Sequence, residues 1–234
     1  MRRRSFNIII GALLAVTFAV CSSCGRNSCI ITMTTETDDE VELLVYGKGV
    51  VTVDWGDGSE KDIMTFGEDG LEFHHDYSGA AIYTIMMSGD SILALRCDRC
   101  ELTSLDVSKN RALVSLDCSS NQLTGLDVSR NKALSSLDCS NNQLTSLDVS
   151  KNTALSYLDC SSNQLTSLDM RKNTALTFLL CKANLLTTAA LNSLFETLHN
   201  NTIPRETKEI YIYSNSGEKD CDRSIAMSKG WAVL

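Results

Sequence analysis

Five cysteines recur every 21 residues, and thiols at so regular a spacing could hold a metal ion or undergo redox exchange. They are Cys97, Cys118, Cys139, Cys160 and Cys181. A leucine stands two residues before each of them. Side chains two apart share one face of a strand, and a thiol on an apolar face behaves as a small hydrophobe. We therefore expect a buried structural column, with no metal and no cofactor.

Five cysteines lie outside that column. Two of them, Cys21 and Cys24, belong to the N-terminal segment, and the other three are Cys29, Cys100 and Cys221. In an exported protein any of them could form a disulfide, and the sequence assigns no partner to any of the three. Cys97 and Cys100 form a C-x-x-C pair, but both fall on positions of the repeat, which weakens a redox interpretation.

Aspartates form two more columns at the same spacing. The first directly precedes the cysteines and consists of Asp117, Asp138 and Asp159. Alternation along a strand turns these side chains outward, where they could bind a cationic ligand or Ca²⁺, although a solvated row of charges is the favoured interpretation. In the second, each member is followed three residues later by Lys or Arg, which indicates local charge balance. Its members are Asp106, Asp127, Asp148 and Asp169.

Candidates for catalysis are few. The chain has three histidines, and it lacks the H-E-x-x-H, G-x-S-x-G and phosphate-loop motifs. The formal net charge is −8, which disfavours nucleic acid and anionic membrane surfaces as electrostatic partners. The composition therefore indicates neither an enzyme nor a nucleic-acid-binding protein.

Most outward positions of the repeats carry Ser or Asp, which are poor anchors for a partner. The exceptions gather toward the C-terminal repeats, where Tyr157 and Phe178 share one column and Leu180 and Lys182 follow. Because aromatic residues are enriched in binding hot spots, these four residues and the Asp117 column form the candidate ligand face. Contact of the two aromatic residues with a C-terminal cap is an equally open alternative.

One repeat unit, from Leu134 to Ala154, shows how these residues are positioned. Leu137 and Cys139 point to one side of a short strand, and the residues between them point to the other. Asn142 stands where the chain turns away, so its amide can satisfy the backbone groups that the turn frees. The same position holds Asn121, Asn163 and Asn184, and in the first repeat Cys100. So short a unit has no room for a full helix on its return side.

This pattern, L-x-x-L-x-L-x-x-N-x-L with Cys in the third Leu position, resembles leucine-rich repeats of the bacterial internalin type. It is most similar to the cysteine-ladder subgroup with 21-residue units, over residues 91–186. The resemblance implies a mainly β solenoid in which stacked rungs bury a continuous core. It also implies adhesion to, or binding of, another protein.

The residues after the last repeat predict a cap that shields the end of the core. A helix is expected over 187–199, with Thr188 as its N-cap. Strands are expected over 209–213 and 231–234, with Asn215 in the turn position and a short helix over 224–230 between them. The cap therefore covers residues 187–234.

Residues 25–90 predict a small β-sandwich. Alternating runs occur at 30–35, 41–46, 50–55 and 82–87. The sharpest motif, Trp55-Gly-Asp-Gly-Ser59, is a strand entering a tight turn that Asp57 can close. Together with the H-x-Y and Y-T-I motifs that end at Tyr77 and Ile85, it resembles the polycystic-kidney-disease (PKD) type of domain. This module could cap the first repeat.

The first 24 residues are typical of a lipoprotein signal peptide. Arginines at positions 2–4 precede an apolar run over 8–20, which is too short for a membrane span. Cys24 is the favoured lipidated residue because two serines precede it, and Cys21 is the alternative. The expected location is the outer membrane or the cell surface, with membrane attachment through the lipid alone.

These features together predict an exported, lipid-anchored module that binds a protein partner and does not catalyse a reaction. A glycan-binding accessory protein is one alternative, since PKD-like modules often accompany carbohydrate-acting proteins. A structural spacer without a specific ligand is the other.

Overall fold

The computed structural model describes residues 29–201 and 207–234, and places twelve strands and two helices within them. Both lipidation candidates, Cys24 and Cys21, lie outside these residues. The strands before the repeats are β1 (Cys29–Thr35), β2 (Glu40–Asp54), β3 (Asp62–Thr65), β4 (Leu71–Asp76) and β5 (Tyr83–Arg96). The remaining strands are β6 (Leu102–Asp106), β7 (Ser115–Asp117), β8 (Ser136–Asp138), β9 (Tyr157–Asp159), β10 (Phe178–Leu180), β11 (Lys208–Tyr211) and β12 (Trp231–Val233).

The repeats form a β-solenoid, which confirms the mainly β architecture. Each unit contributes one three-residue strand, and β7 to β10 pair in parallel with equivalent residues side by side. The register holds because the central leucine of each strand is fully or almost fully buried. Turns without a full helix form the return side, as the short repeat predicts.

The strands that precede the repeats are joined to the solenoid through β5. Its first part pairs with β1, and most of its length pairs with β2, both in antiparallel fashion. Its last three residues also pair with β7 in parallel. Strand β5 therefore runs across residue 90, where the sequence suggests a change of module. On the return side, β1 also pairs with β6. The first rung is thus covered by strands that belong to the preceding segment.

Strand β2 is one continuous element where the sequence predicts two runs. Its pairing with β5 shifts register on either side of Gly47 and Lys48. Gly49 has a φ of 79°, a conformation that glycine adopts without strain. The glycines therefore bend the strand without ending it. Strands β3 and β4, which the sequence does not predict, both pair with β2.

A C-terminal cap closes the solenoid. Helix α1 (Thr188–Thr197) begins after Thr187, whose hydroxyl accepts a hydrogen bond from the Ala190 N–H. The prediction of Thr188 as the N-cap is therefore wrong by one residue. Helix α2 (Ser224–Met227) lies before β12, and β10, β11 and β12 continue the parallel sheet. Neither helix within the described residues is long and apolar enough to cross a membrane.

Candidate functional site

The outward side of β5 and β7–β11, here called the strand face, is a continuous surface. The parallel register aligns its side chains in two columns. The first column runs Ala94, Ser115, Ser136, Tyr157, Phe178, Glu209. The second runs Arg96, Asp117, Asp138, Asp159, Leu180, Tyr211. The structure thus brings the sequence-predicted face residues together on one surface, with Lys182 at its edge.

Three aromatic side chains form a row at the C-terminal end of this face. The Tyr157 and Phe178 rings are nearly parallel, with centroids 5.7 Å apart and planes 7° apart. The Phe178 and Tyr211 rings follow at 5.3 Å. We call Tyr157, Phe178 and Tyr211 the aromatic row. Tyr211 belongs to the cap, so Phe178 contacts the cap, and it also remains partly exposed on the strand face.

The Tyr157 and Phe178 rings of the aromatic row stack with an offset. Two coplanar rings in van der Waals contact have centroids no closer than about 6 Å. Parallel rings at 5.7 Å must therefore overlap, so that Tyr157 and Phe178 present part of their faces to each other. A sugar stacks on an exposed ring face, and this arrangement offers it less of one than a flat platform would.

Two side chains of the cap that the sequence did not single out, Tyr213 and Glu209, extend the row. The Lys182 ammonium donates a hydrogen bond to the Tyr213 hydroxyl at 2.6 Å and lies 4.9 Å from that ring's centroid. The Tyr211 hydroxyl donates to a Glu209 carboxylate oxygen at 2.9 Å. A signal was available, since Ile210 and Ile212 alternate inward before Asn215. Projecting that alternation outward places Glu209, Tyr211 and Tyr213 on the strand face.

Asp117, Asp138 and Asp159 form an acidic row beside the aromatic row. The expectation of a solvated row of charges is wrong, because Asp117 is 9% exposed and the other two are partly buried. Short side chains in a sheet are covered by their neighbours on both flanking strands. Asp138 Oδ1 accepts hydrogen bonds from the Ser140 N–H and hydroxyl at 3.0 and 2.7 Å. Each aspartate is held in the same way by the serine two residues later.

The buried position of the acidic row changes its protonation. Burial, followed by the charges of Asp159 and Asp117, raises the pKa of Asp138 to about 7. The pKa of Asp117 is also raised, chiefly by burial, although Arg96 opposes the shift. Arg96 itself donates to Asp98 at 2.5 Å. Asp138, in the middle of the row, therefore has a carboxyl group that is flanked by two others.

The cysteine column lies inside the solenoid and serves its packing. All five thiols are fully buried, and burial raises the pKa of each. Four donate weak hydrogen bonds to a carbonyl on the next rung, as Cys139 does to Asp159 at 3.5 Å. Cys100 and Cys221 are free thiols as well. Low thiolate content and burial leave the column unsuited to redox or metal chemistry.

The asparagines at the turn position of each rung form a column whose hydrogen bonds join the turns of neighbouring rungs. Asn142 Nδ2 lies 3.0 and 3.1 Å from the carbonyl oxygens of Cys118 and Cys139, and Oδ1 accepts from the Leu123 N–H at 2.9 Å. Equivalent bonds are made at the same positions of the other rungs, and Asn215 extends them into the cap. The column members are Asn121, Asn142, Asn163 and Asn184.

On the return side, the second aspartate column is balanced differently from the prediction. Asp148 Oδ1 accepts the Ser150 N–H at 2.8 Å, and this bonding, more than Lys151, lowers the pKa of the carboxyl. Asp106 and Asp127 accept from the serine two residues later in the same way. Asp169 pairs with Arg171 at 2.8 Å instead of with Lys172.

The Trp55–Ser59 turn has the predicted geometry. Gly56 and Gly58 have positive φ values of 79° and 86°, and Asp57 closes an Asx turn on the Ser59 N–H at 3.0 Å. His75 Nε2 lies 2.8 Å from Asp57 Oδ2, and its ring stacks on Trp55. These contacts hold the turn against β4. Across the described ranges, no group of three or more His, Cys, Asp or Glu is placed to hold a metal ion.

Comparison with known proteins gives matches among solved structures only. No protein-family model matches the chain, and no curated protein matches it. The functional domain of InlJ from Listeria monocytogenes, which includes a cysteine ladder, is 29% identical over 56% of this chain and 33% of that one, with a TM-score of 0.43. An internalin, InlF, from the same species is 22% identical over 54% and 36%, with a TM-score of 0.44.

A leucine-rich-repeat protein from Leptospira interrogans is 22% identical over 55% of this chain and 38% of that one, with a TM-score of 0.41. The structural neighbours are thus internalin-like and other leucine-rich-repeat proteins. This chain spans about a third of their length.

Proposed function

We propose that the protein is an exported binding module that recognises another protein through its strand face and does not catalyse a reaction. The aromatic row carries this proposal. At the equivalent position, β7 and β8 have Ser115 and Ser136, whereas β9 and β10 have Tyr157 and Phe178. The solenoid accommodates serine at this position on two rungs, so the strand pairing does not require the large rings of the next two. Partly exposed aromatic residues on a rigid surface are typical of binding hot spots.

The substitutions Tyr157→Ser and Phe178→Ser test the proposal, because they restore the residue that neighbouring rungs carry. The double variant should keep the circular dichroism spectrum and melting temperature within a few degrees of the original protein. A photo-reactive residue in place of Leu180 should crosslink a partner on the cell surface, and the double variant should lose that product. The matched control has the photo-reactive residue at Lys151, which is exposed on the return side.

Loss of the Leu180 crosslink only in the double variant would support the strand face as the binding surface. Equal crosslinking from Lys151, or a Leu180 product that survives both substitutions, would contradict it. A glycan ligand is the weaker alternative, because Tyr157 and Phe178 present part of their ring faces to each other. The spacer hypothesis predicts that no interaction of the protein changes in the double variant.

Attachment to the membrane through a lipid at Cys24, with Cys21 as the alternative, is part of the same proposal. Labelling with a palmitate analogue should tag the protein, and Cys24→Ala should abolish the label. A label that persists in Cys24→Ala and disappears in Cys21→Ala would show that Cys21 is the lipidated residue.

The proposed organisation is a signal peptide over 1–24, a PKD-like module over 25–90, repeats over 91–186 and a cap over 187–234.

A further inference from the structure

The strand face has two chemically different parts that lie side by side. The acidic part extends past the strand face onto β2, where the exposed Glu40 and Glu42 share the outward side with Leu44, and Leu44 pairs with Arg96. It continues through Asp117 and Asp138. The aromatic row starts at Tyr157, where the acidic row still continues as Asp159 on the same strand. Both chemistries therefore meet on β9.

Two basic side chains near the acidic part each contact one carboxylate. Arg96 donates to Asp98, and His74 of β4 lies 3.0 Å from Glu40. The groups that face Asp138 from its flanking strands are Asp117 of β7 and Asp159 of β9, and its own turn contributes the Ser140 hydrogen bonds. A row of aspartates packed against one another in this way favours a positively charged neighbour.

We propose that the strand face binds an extended segment of another protein in which a Lys or Arg lies two residues from an apolar or aromatic side chain. The inference rests on the proposed function and names the chemistry of its partner. The cation lies over the acidic row, and the apolar side chain packs on the edges of the aromatic row. The spacing follows from β9, since Asp159 and Tyr157 are two residues apart on one strand face, about 6.6 Å. An extended partner repeats at the same distance.

Charge complementarity also sets the pH and salt dependence of this interaction. The pKa of Asp138 is raised to about 7, so its carboxyl is increasingly ionised between pH 6 and pH 8. A cation on the row binds the ionised form, and binding should therefore strengthen over that range. Added salt should weaken it, because partly exposed charges are screened.

The test starts from random twelve-residue peptides displayed on phage and selected on the purified full-length protein at pH 8 and low salt. Selected sequences should contain Lys or Arg two residues from an apolar or aromatic residue more often than at other spacings. One enriched peptide, labelled with fluorescein, is then titrated with each variant by fluorescence anisotropy. Asp117→Asn with Asp138→Asn should weaken binding by about tenfold or more and remove most of its pH dependence.

The matched control is Asp127→Asn with Asp148→Asn, which removes the same charge from the return side, and its affinity should stay within about twofold. Selection without basic residues, or an acidic-row variant that binds as the original protein does, overturns the inference. If such non-basic peptides lose binding in the Tyr157→Ser and Phe178→Ser variant, the proposed function stands. If no selected peptide responds to either pair of substitutions, both fail. An uncharged glycan that binds through the aromatic row also overturns the inference.

Discussion

Replacement of Asn142 by Ala should destabilise the solenoid far more than removal of an exposed amide. Asn142 is 8% exposed, and its side chain links two turns. Its Nδ2 donates to the carbonyls of Cys118, Cys139 and Ser140. Its Oδ1 accepts from the Leu123 N–H at 2.9 Å. Alanine removes both functions and leaves the strand sequence unchanged.

The magnitude follows from which groups keep a partner. The Cys118 and Cys139 carbonyls still accept from Asn121 and Asn163, and the Ser140 carbonyl from the Ser120 N–H. The Leu123 N–H loses its acceptor, and a buried unpaired donor costs about 1–3 kcal/mol. The lost amide donors add about 1 kcal/mol. The free energy of unfolding should therefore fall by about 2–4 kcal/mol.

Urea unfolding followed by circular dichroism measures this change. With a slope of about 2 kcal/mol/M, the midpoint should fall by about 1–2 M. The control is Gln143→Ala, because Gln143 is exposed and uses its backbone N–H to bond Leu123 O. It should change stability by less than about 0.5 kcal/mol. Equal effects of the two substitutions, or a loss below about 1 kcal/mol at Asn142, would refute the reasoning.

Four further predictions concern single side chains. Asp138→Asn should raise the melting temperature at pH 8, and the gain should disappear toward pH 5. The pKa of Asp138 is about 7 in the folded protein, so ionisation of this carboxyl destabilises the fold as the pH rises from the unfolded-state pKa to pH 7. Asp148→Asn should lower the melting temperature at pH 8, since its folded-state pKa is lowered, and the opposite sign in either thermal melt would contradict the assignment. Maleimide labelling of native protein, mapped by mass spectrometry, should modify Cys221 before the buried Cys139, and the reverse order would show that the column is open. Ser120→Asn should raise the free energy of unfolding in urea by about 0.5 kcal/mol, because Ser120 has a φ of 57° and the next rung has Asn141 at the same position. No gain would mean that the turn is unstrained at Ser120.

The solenoid was predictable because each residue type recurs in one environment. A leucine at position 137 and its equivalents can be buried only if the rungs stack in register, and that fixes the inward side for Cys139 as well. The turn role of Asn142 follows from the same period. The repeats show the same residue type several times at each position, and this shows which side chains point inward, which a single short strand does not.

The burial of the acidic row could not be predicted in the same way. Alternation correctly assigns Asp117 and Asp138 to the outward side, but exposure depends on the flanking side chains of two other strands. The preceding segment is harder still. Strand β4 contains His74 and His75 on opposite sides and few aliphatic residues, so its alternation is weak. Strand β2 contains glycines that resemble a turn and act as a bend.

The asparagine bonds also bear on how the molecule can change length. Between rungs they join residues separated by 19 or 24 positions, and the same separations recur along the solenoid. Duplication or deletion of one 21-residue unit between Asn121 and Asn163 therefore leaves each donor with an acceptor. Unequal recombination within the gene would produce folded proteins with longer or shorter solenoids. The distance between the strands that cover the first rung and the aromatic row can therefore change by one repeat at a time, while the residues of the core stay the same.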